Sequence, residues 1–164
     1  MIARWFPAYI GIGSNLDSPA DQVRHAVDRL REVADTYVAL TAPLYQSAPM
    51  GPAGQPDFIN TVVATMTRLE PRAMLEALKA IETDAGRVKS ERWGPRVLDL
   101  DLLSWAGERM ESDALTLPHP GIAERNFVLL PWREITPFFE IPGLGYVGDL
   151  ADKAPSEPRI HRLS

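Results

Sequence analysis

The sequence predicts an α+β protein with a ferredoxin-like βαββαβ antiparallel sheet and packed helices in one three-layer domain that spans residues 1–164. Two observations predict this class. Runs of strand character alternate with amphipathic helical patterns in the order strand, helix, strand, strand, helix, strand. The 164 residues are 45% hydrophobic and 24% charged, which is ordinary for a globular protein with a proper core.

The first strand, the first helix and the next two strands each have a local signal. An apolar run at 8–12 predicts a buried strand that the Gly13-Ser14-Asn15 segment interrupts. Ser18 as a side-chain cap and Pro19 in the first helical position predict a helix that reaches about residue 33. Two further strands are predicted at 37–45 and 58–67, on either side of a loop rich in proline and glycine at 47–56.

The second half of the chain supplies a helix and the last strand of the sheet. Pro71 opens the helix, apolar residues repeat at helical spacing, and Gly86 is its predicted stop. The apolar run 97–103 predicts the strand. A short third helix is predicted at 125–135, whereas residues 1–7 and 143–164 show no pattern that we interpret.

Two carboxylates inside the strand at 97–103 are the most informative feature of the chain. Asp99 and Asp101 share one strand face, because strand side chains alternate and leucines occupy the other face. Neighbouring carboxylates repel each other, and a hard cation bound by oxygen ligands is the usual compensation. The pair therefore predicts a Mg²⁺ site, although many such pairs are merely solvated faces of edge strands.

A cationic loop directly precedes this strand. Its basic residues are Arg87, Lys89, Arg92 and Arg96, with Glu91 as the only acidic residue among them and the Trp93-Gly94-Pro95 turn before the strand. Arginine forks are suited to phosphate oxygens. A basic loop that leads into a di-carboxylate strand is typical of a site for Mg²⁺ and a polyphosphate.

Overall charge and composition limit the kinds of binding partner that we expect. The net charge is −5, so the basic loop is a local feature, and we expect a small anionic ligand rather than nucleic acid. No apolar stretch approaches the ~20 residues that a membrane span needs, and the first residues do not resemble a secretory signal. The chain has no cysteine. We expect a cytoplasmic protein, without a membrane partner, that is a monomer.

Three other motifs have both a structural and a functional interpretation. The Gly11-x-Gly13 turn resembles a phosphate-binding turn, but a tight turn is favoured, since the third glycine of the dinucleotide fingerprint is missing. Phe58 and Asn60 share a strand face and could bind a flat polar heterocycle, or could be core and turn residues. His119, between two prolines, is either a structural hydrogen-bonding residue or a phosphate ligand.

Together these motifs resemble one family. Gly-Ser-Asn at 13–15, Phe-Ile-Asn at 58–60, the Glu-Arg-Trp-Gly-Pro-Arg-x-Leu-Asp-Leu-Asp block at 91–101, and Pro-His-Pro followed by Glu-Arg-x-Phe at 118–127 occur in one order. The chain is similar over about residues 8–140 to the 6-hydroxymethyl-7,8-dihydropterin pyrophosphokinases of folate biosynthesis. The resemblance implies a single pyrophosphokinase domain that transfers the pyrophosphoryl group of ATP to the pterin hydroxymethyl group, releases AMP and uses two Mg²⁺.

The resemblance also implies roles for individual residues. Asp99 and Asp101 would bind both metal ions. The catalytic group would be Arg87, Arg92, Arg96, Asp99 and Asp101. ATP would contact Arg87, Lys89, Arg92, Trp93, Arg96, Leu102, His119 and Arg125. The pterin would contact Ser47, Ala48, Met50, Phe58, Asn60, Asp99 and Phe127, with the two aromatic rings on opposite sides of it.

Two other classes of protein stay open at this point. The first is a different Mg²⁺-dependent phosphoryl or nucleotidyl transferase on a ferredoxin-like sheet, which would release ADP or pyrophosphate rather than AMP. The second is a non-catalytic pterin- or nucleotide-binding module. The aspartate pair and the arginine loop argue against the second class, because binding alone does not require two metal ions.

Overall fold

A computed structural model of the chain describes residues 4–51, 53–86 and 97–163. No helix within these ranges is long and apolar enough to cross a membrane. The helices are α1 (Pro19–Arg31), α2 (Pro71–Asp84), α3 (Asn126–Ile135) and α4 (Val147–Asp152), with a 3-10 turn at Ile122–Glu124. The strands are β1 (Phe6–Ser14), β2 (Thr36–Thr41), β3 (Tyr45–Ser47), β4 (Phe58–Thr67), β5 (Asp99–Trp105), β6 (Met110–Glu111), β7 (Thr116–Leu117), β8 (Glu140–Ile141), β9 (Gly145–Tyr146) and β10 (Ile160–Arg162).

The main sheet has six antiparallel strands in the order β10-β3-β4-β1-β5, and β2 pairs with the other end of β4. The strands β1, β2, β4 and β5 with the helices α1 and α2 form the predicted ferredoxin-like βαββαβ unit. The prediction of one strand at 37–45 was wrong. This segment divides at Ala42 and Pro43, because proline lacks an N–H for the sheet and Thr61 Oγ1 donates a hydrogen bond to the Ala42 carbonyl, 2.9 Å away.

Helices cover both faces of this sheet, so the predicted three-layer arrangement is confirmed. The helices α1 and α2 pack on one face around Ile10, Leu30 and Leu78. The helices α3 and α4 pack on the other around Tyr9, Leu129 and Trp132. Side chains alternate between the two faces of each strand, so the same strands contribute residues to the core on each side of the sheet.

Strand β5 lies at one edge of the sheet and has the side-chain alternation that the sequence predicts. Leu98, Leu100 and Leu102 belong to the core on the α1 and α2 side. Asp99 and Asp101 consequently lie on the α3 side. A bulge, where Tyr9 pairs with Ser104 but Ile10 pairs with Leu102, ends this alternation.

Two local predictions in the first half were wrong. Strand β1 continues through Gly13 and Ser14 instead of stopping at residue 12, since both residues pair with β4. Ser18 has φ of 61° and makes no side-chain capping hydrogen bond. The Ser18 carbonyl instead accepts a hydrogen bond from the Gln22 N–H at 3.0 Å, which is the first ordinary turn of α1.

The last part of the chain contains structure that the sequence analysis did not predict. A short hairpin of β8 and β9 leads into α4, which packs against α3. The chain then returns to the main sheet, where β10 pairs with β3. The third helix matches its prediction within one residue.

Candidate functional site

A row of residues crosses four strands on the α3 face of the sheet. Asp99 on β5 pairs with Gly13 on β1, Gly13 pairs with Asn60 on β4, and Asn60 pairs with Tyr45 on β3. Residues that pair across antiparallel strands point to the same face. The row therefore places a candidate metal ligand and a candidate pterin ligand on either side of a residue without a side chain.

Gly13 is the position that lets the two halves of the row approach each other. A Cβ atom on Gly13 would lie 2.9 Å from Asn60 Nδ2, a distance that real Cβ atoms do not show. The Asn60 carboxamide therefore lies across the backbone of β1. The Gly11-x-Gly13 pattern had predicted a tight turn at this position, whereas Gly13 lies within β1. Glycines at alternate positions of a strand are a sequence signal that could have predicted this close approach of the Asn60 side chain to β1.

Asp101 lies one step further along β5 and faces two cationic or titratable groups. Its carboxylate lies 4.0 Å from Arg125 Nη1 and 3.8 Å from His119 Nε2. The partner of Asp101 across the sheet is Gly11, where a Cβ would make only ordinary contacts with Leu103 at 3.5 Å. The structure thus brings the predicted metal ligand Asp101 together with His119 and Arg125, which the resemblance placed on the phosphates of the nucleotide.

His119 is fixed at both its backbone and its ring. Its N–H donates to the Leu103 carbonyl at 2.9 Å, and ring Nδ1 lies 2.7 Å from the Pro120 carbonyl. A carbonyl can only accept, so Nδ1 carries the proton and Nε2 points toward Asp101. Burial, followed by the charge of Arg125, lowers the pKa of His119, against the raising effects of the Pro120 hydrogen bond and of Asp99. The ring is therefore neutral at pH 7.

The predicted pterin residues lie at the other end of the row. The Asn60 Oδ1 atom accepts a hydrogen bond from Ser47 Oγ at 2.8 Å, and both residues are buried. Phe58 pairs with Ser47 and shares the face of Asn60. Phe127 packs at the edge of the core on this face. Both rings thus lie on one side of the sheet, as a flat ligand between them would require.

The loop after β3 carries the two remaining pterin candidates. Ala48 is half-buried and Met50 is exposed. Asn15 fixes this loop, because its Nδ2 donates to Gln55 Oε1 at 2.9 Å and to the Pro56 carbonyl at 3.1 Å. Ser14 Oγ donates to the Val97 carbonyl and so joins β1 to the start of β5. These contacts favour the structural interpretation of the segment at 13–15.

Glu82 is a buried residue near the aspartates that the sequence analysis did not single out. It lies on α2 and is 6% exposed. Its Oε2 accepts a hydrogen bond of 2.7 Å from the N–H of Leu100, the residue between Asp99 and Asp101. Glu82 therefore holds the backbone of β5 where both aspartates project. A lone acidic residue near a helix end has no distinctive sequence signal.

The remaining predicted site residues are Leu102 and the residues of the basic loop. Leu102 is 2% exposed and its side chain packs on the α1 and α2 side, so only its backbone could contact a nucleotide. The basic-loop residues lie outside the described part of the chain: Arg87, Lys89, Arg92, Trp93 and Arg96.

The donor chemistry at β5 fits Mg²⁺. Asp99 and Asp101 provide carboxylate oxygens, and Mg²⁺ is commonly bound by one or two carboxylates while phosphates and waters complete its octahedron. Within residues 4–51, 53–86 and 97–163, no group of three or more His, Cys, Asp or Glu side chains is arranged to hold a metal ion. Such a pair suits an ion that arrives with a polyphosphate.

The comparison with known families is decisive. A sequence model described as 7,8-dihydro-6-hydroxymethylpterin-pyrophosphokinase matches residues 9–137, which is most of the chain. The chain belongs to this family. The match includes the aspartate pair, both glycines of β1, the Phe58 to Asn60 segment and the Arg125 to Phe127 segment.

Individual relatives extend the similarity to nearly the whole chain. The 2-amino-4-hydroxy-6-hydroxymethyldihydropteridine pyrophosphokinase of Pseudomonas aeruginosa is 40% identical over 155 residues, which cover 94% of this chain and 95% of the relative. The enzyme of the same name from Haemophilus influenzae is 38% identical, over 87% of this chain and 89% of its own length. Both alignments are longer than the family match over residues 9–137.

Solved structures support the fold. A crystal structure described as HPPK-DHPS in complex with substrates has a TM-score of 0.71 and covers 92% of this chain at 13% identity. The Plasmodium falciparum HPPK-DHPS with SDX-DHP has a TM-score of 0.68 over 90% of this chain, at 15% identity. This chain spans 43% of each of those longer chains, which contain more than the matching unit.

Proposed function

We propose that the reaction of this family takes place on the α3 face of the sheet, along the row from Asp99 through Gly13 to Asn60. The chain is an ATP-dependent diphosphotransferase of folate biosynthesis that transfers the pyrophosphoryl group of ATP to 6-hydroxymethyl-7,8-dihydropterin. The observation that carries the location is the register, which puts the aspartate face of β5 and the Asn60 carboxamide on opposite sides of one glycine.

Asp99 and Asp101 hold two Mg²⁺ ions together with the triphosphate of ATP in this proposal. When bound, the ions neutralise phosphate charge and orient the pyrophosphoryl group. Both carboxylates lie on one strand face, where a bound cation would offset their mutual repulsion. Asp101 also lies near His119 and Arg125, which extend the site toward the phosphates.

The nucleotide side of the site combines His119 and Arg125 with the basic loop. Arg125 supplies a permanent charge beside Asp101, whereas His119 is neutral in the free protein. A bound polyphosphate would raise the His119 pKa and favour a proton on Nε2. Arg87, Arg92 and Arg96 complete the charge on the phosphates in this proposal, with Lys89 and Trp93 beside them and the backbone of Leu102 at the outer edge of β5.

The pterin side of the site consists of two aromatic rings, Phe58 and Phe127, and the Asn60 carboxamide. The pterin ring lies between Phe58 and Phe127 in this proposal, and Asn60 binds its edge in the plane. The Ser47 hydroxyl holds the Asn60 oxygen at 2.8 Å, so Nδ2 is the group left to face the ligand. The loop that carries Ala48 and Met50 contributes backbone groups to the same ring.

The chemistry then requires positioning more than covalent assistance. The pterin hydroxyl oxygen attacks the β-phosphorus, a new oxygen–phosphorus bond forms, and the bond from that phosphorus to the AMP oxygen breaks. The hydroxyl proton is released to solvent in the overall reaction, which yields AMP, the pterin diphosphate and one H⁺. Charge moves onto the phosphate and AMP oxygens as the old bond breaks, and cationic groups on both sides stabilise it. Alignment of the two substrates supplies the rest of the rate.

One experiment tests both the reaction and its location. The protein is incubated with ATP, Mg²⁺ and hydroxymethyl-dihydropterin, and the nucleotide products are separated. We expect one AMP for each pterin diphosphate, with loss of this activity in Asp101→Asn. Release of ADP or pyrophosphate would instead indicate another transferase class.

We further propose that the chain is one domain and acts as a cytoplasmic monomer. Sedimentation would test the oligomeric state.

A further inference from the structure

We propose that Asn126 and the C-terminal segment 155–163, named here the C-terminal strap, position the pterin end of the site. Asn126 is thus a positioning residue that acts through Phe127 and β3. This inference rests on the proposed function, because it assumes that Phe127 and Ser47 contact the pterin. The sequence of the strap shows no pattern that predicts its structure.

Asn126 joins the strap to the start of α3. The residue is 1% exposed and begins the helix between Arg125 and Phe127. Its Nδ2 donates two hydrogen bonds, to the Pro155 carbonyl at 3.0 Å and to the Pro158 carbonyl at 2.8 Å. Two buried hydrogen bonds from one amide fix both the strap and the first turn of the helix that carries Phe127.

The other side of the strap is bound to β3. Strand β10 pairs with β3 over its whole length, so Ile160 lies opposite Ser47. The Ala48 N–H donates to the Arg159 carbonyl at 2.9 Å. Ser47 holds Asn60 by a hydrogen bond, and Ala48 begins the loop that carries the remaining pterin candidates. The strap therefore connects the helix on one side of the proposed pterin slot to the strand on the other.

The strap has an open cleft on one side and several anchors. The cleft, of about 530 Å³, lies between the strap, α3 and α4, and its lining includes Asn126, Ala151, Ala154, Ser156 and Arg159. Pro158 is buried, and Leu163 packs against the core on the α1 and α2 side. Arg162 Nη1 lies 3.3 Å from Glu134 Oε1 on α3. The two carbonyl contacts of Asn126 and the pairing with β3 are the anchors that adjoin the proposed pterin residues.

Two variants test the role from different sides. Asn126→Ala removes both donors at the α3 anchor. His161→Pro weakens the β3 anchor without touching the core, because proline cannot donate to the sheet and His161 is exposed. Thr65→Val is the matched control, since it removes one buried hydrogen bond, Thr65 Oγ1 to the Ala8 carbonyl at 2.8 Å, far from the strap.

The measurement is calorimetric titration of each folded variant with the pterin and, separately, with Mg²⁺ and a non-hydrolysable ATP analogue. We expect both strap variants to weaken pterin binding about tenfold and to change nucleotide binding less than twofold, and the control to change neither. If either folded strap variant binds pterin as tightly as the control does, the strap has a purely structural role. This result would overturn the inference. If Asn126→Ala does not fold, His161→Pro alone decides. Wild-type AMP formation is scored separately and tests the proposed function itself.

Discussion

Substitution of Gly13 by alanine tests the central geometry of the site. The added methyl group would lie 2.9 Å from Asn60 Nδ2, so the carboxamide has to move. Movement breaks its 2.8 Å hydrogen bond with Ser47 and removes it from the proposed pterin edge. Asp99 pairs with Gly13 through the backbone, which the extra methyl group leaves in place.

The expected size of the effect follows from these contacts. Loss of the Ser47–Asn60 hydrogen bond costs about 1 kcal/mol of folding stability, in the free and the bound protein alike. Loss of the ligand hydrogen bond should lower pterin affinity by about 1 kcal/mol, or roughly fivefold. Binding of Mg²⁺ and ATP should change little, because the displaced amide lies on the pterin side.

Gly11→Ala is the matched control on the same strand and face. A Cβ at Gly11 meets Leu103 at 3.5 Å, an ordinary contact, so pterin affinity should change less than twofold. Calorimetric titration with pterin would compare both variants. The Asn60→Ala background provides a second control, since the clash disappears there. A full loss of affinity on adding Gly13→Ala in that background would refute the argument.

Four further variants address the rest of the site. Asp101→Asn should lower turnover by several orders of magnitude while the protein stays folded; near wild-type turnover at saturating Mg²⁺ would contradict the metal assignment. Arg96→Ala should cost about 2–4 kcal/mol in kcat/KM, mostly in kcat. Phe127→Ala should weaken pterin binding ten- to a hundredfold and leave ATP binding unchanged, on the scale of about 1–3 kcal/mol for stacking. Burial lowers the pKa of His119, so the unfolded chain binds a proton more readily than the folded protein; stability should fall as pH drops below the unfolded value of about 6.5, and His119→Gln should flatten this melting profile.

The local signals of the sequence predicted much of the fold and one half of the site. Proline at the first position of a helix acts locally, so Pro19 and Pro71 indicated where α1 and α2 begin. Alternation along a strand is equally local. It placed Asp99 and Asp101 on one face with the leucines on the other, and the structure confirms this arrangement.

Elements that depend on distant partners were not predictable in the same way. Residues 37–45 form two strands because Thr61 holds the Ala42 carbonyl and β4 is long enough to pair with both. The short strand β10 exists through its pairing with β3, and an isolated three-residue run gives no usable periodicity. The anchoring role of Asn126 depends on two carbonyl groups that approach it only after the chain has turned back.

The sequence by itself determined the chemistry: two carboxylates with a strand spacing, a basic loop before them, and an aromatic-amide segment elsewhere, in the order of one family. Only the tertiary structure decided that Gly13 lies between Asp99 and Asn60, and that Arg125 and His119 face Asp101. The physical reason is that side-chain type and strand face are properties of a few neighbouring residues. The register between strands is set by the packing of the whole sheet against its helices.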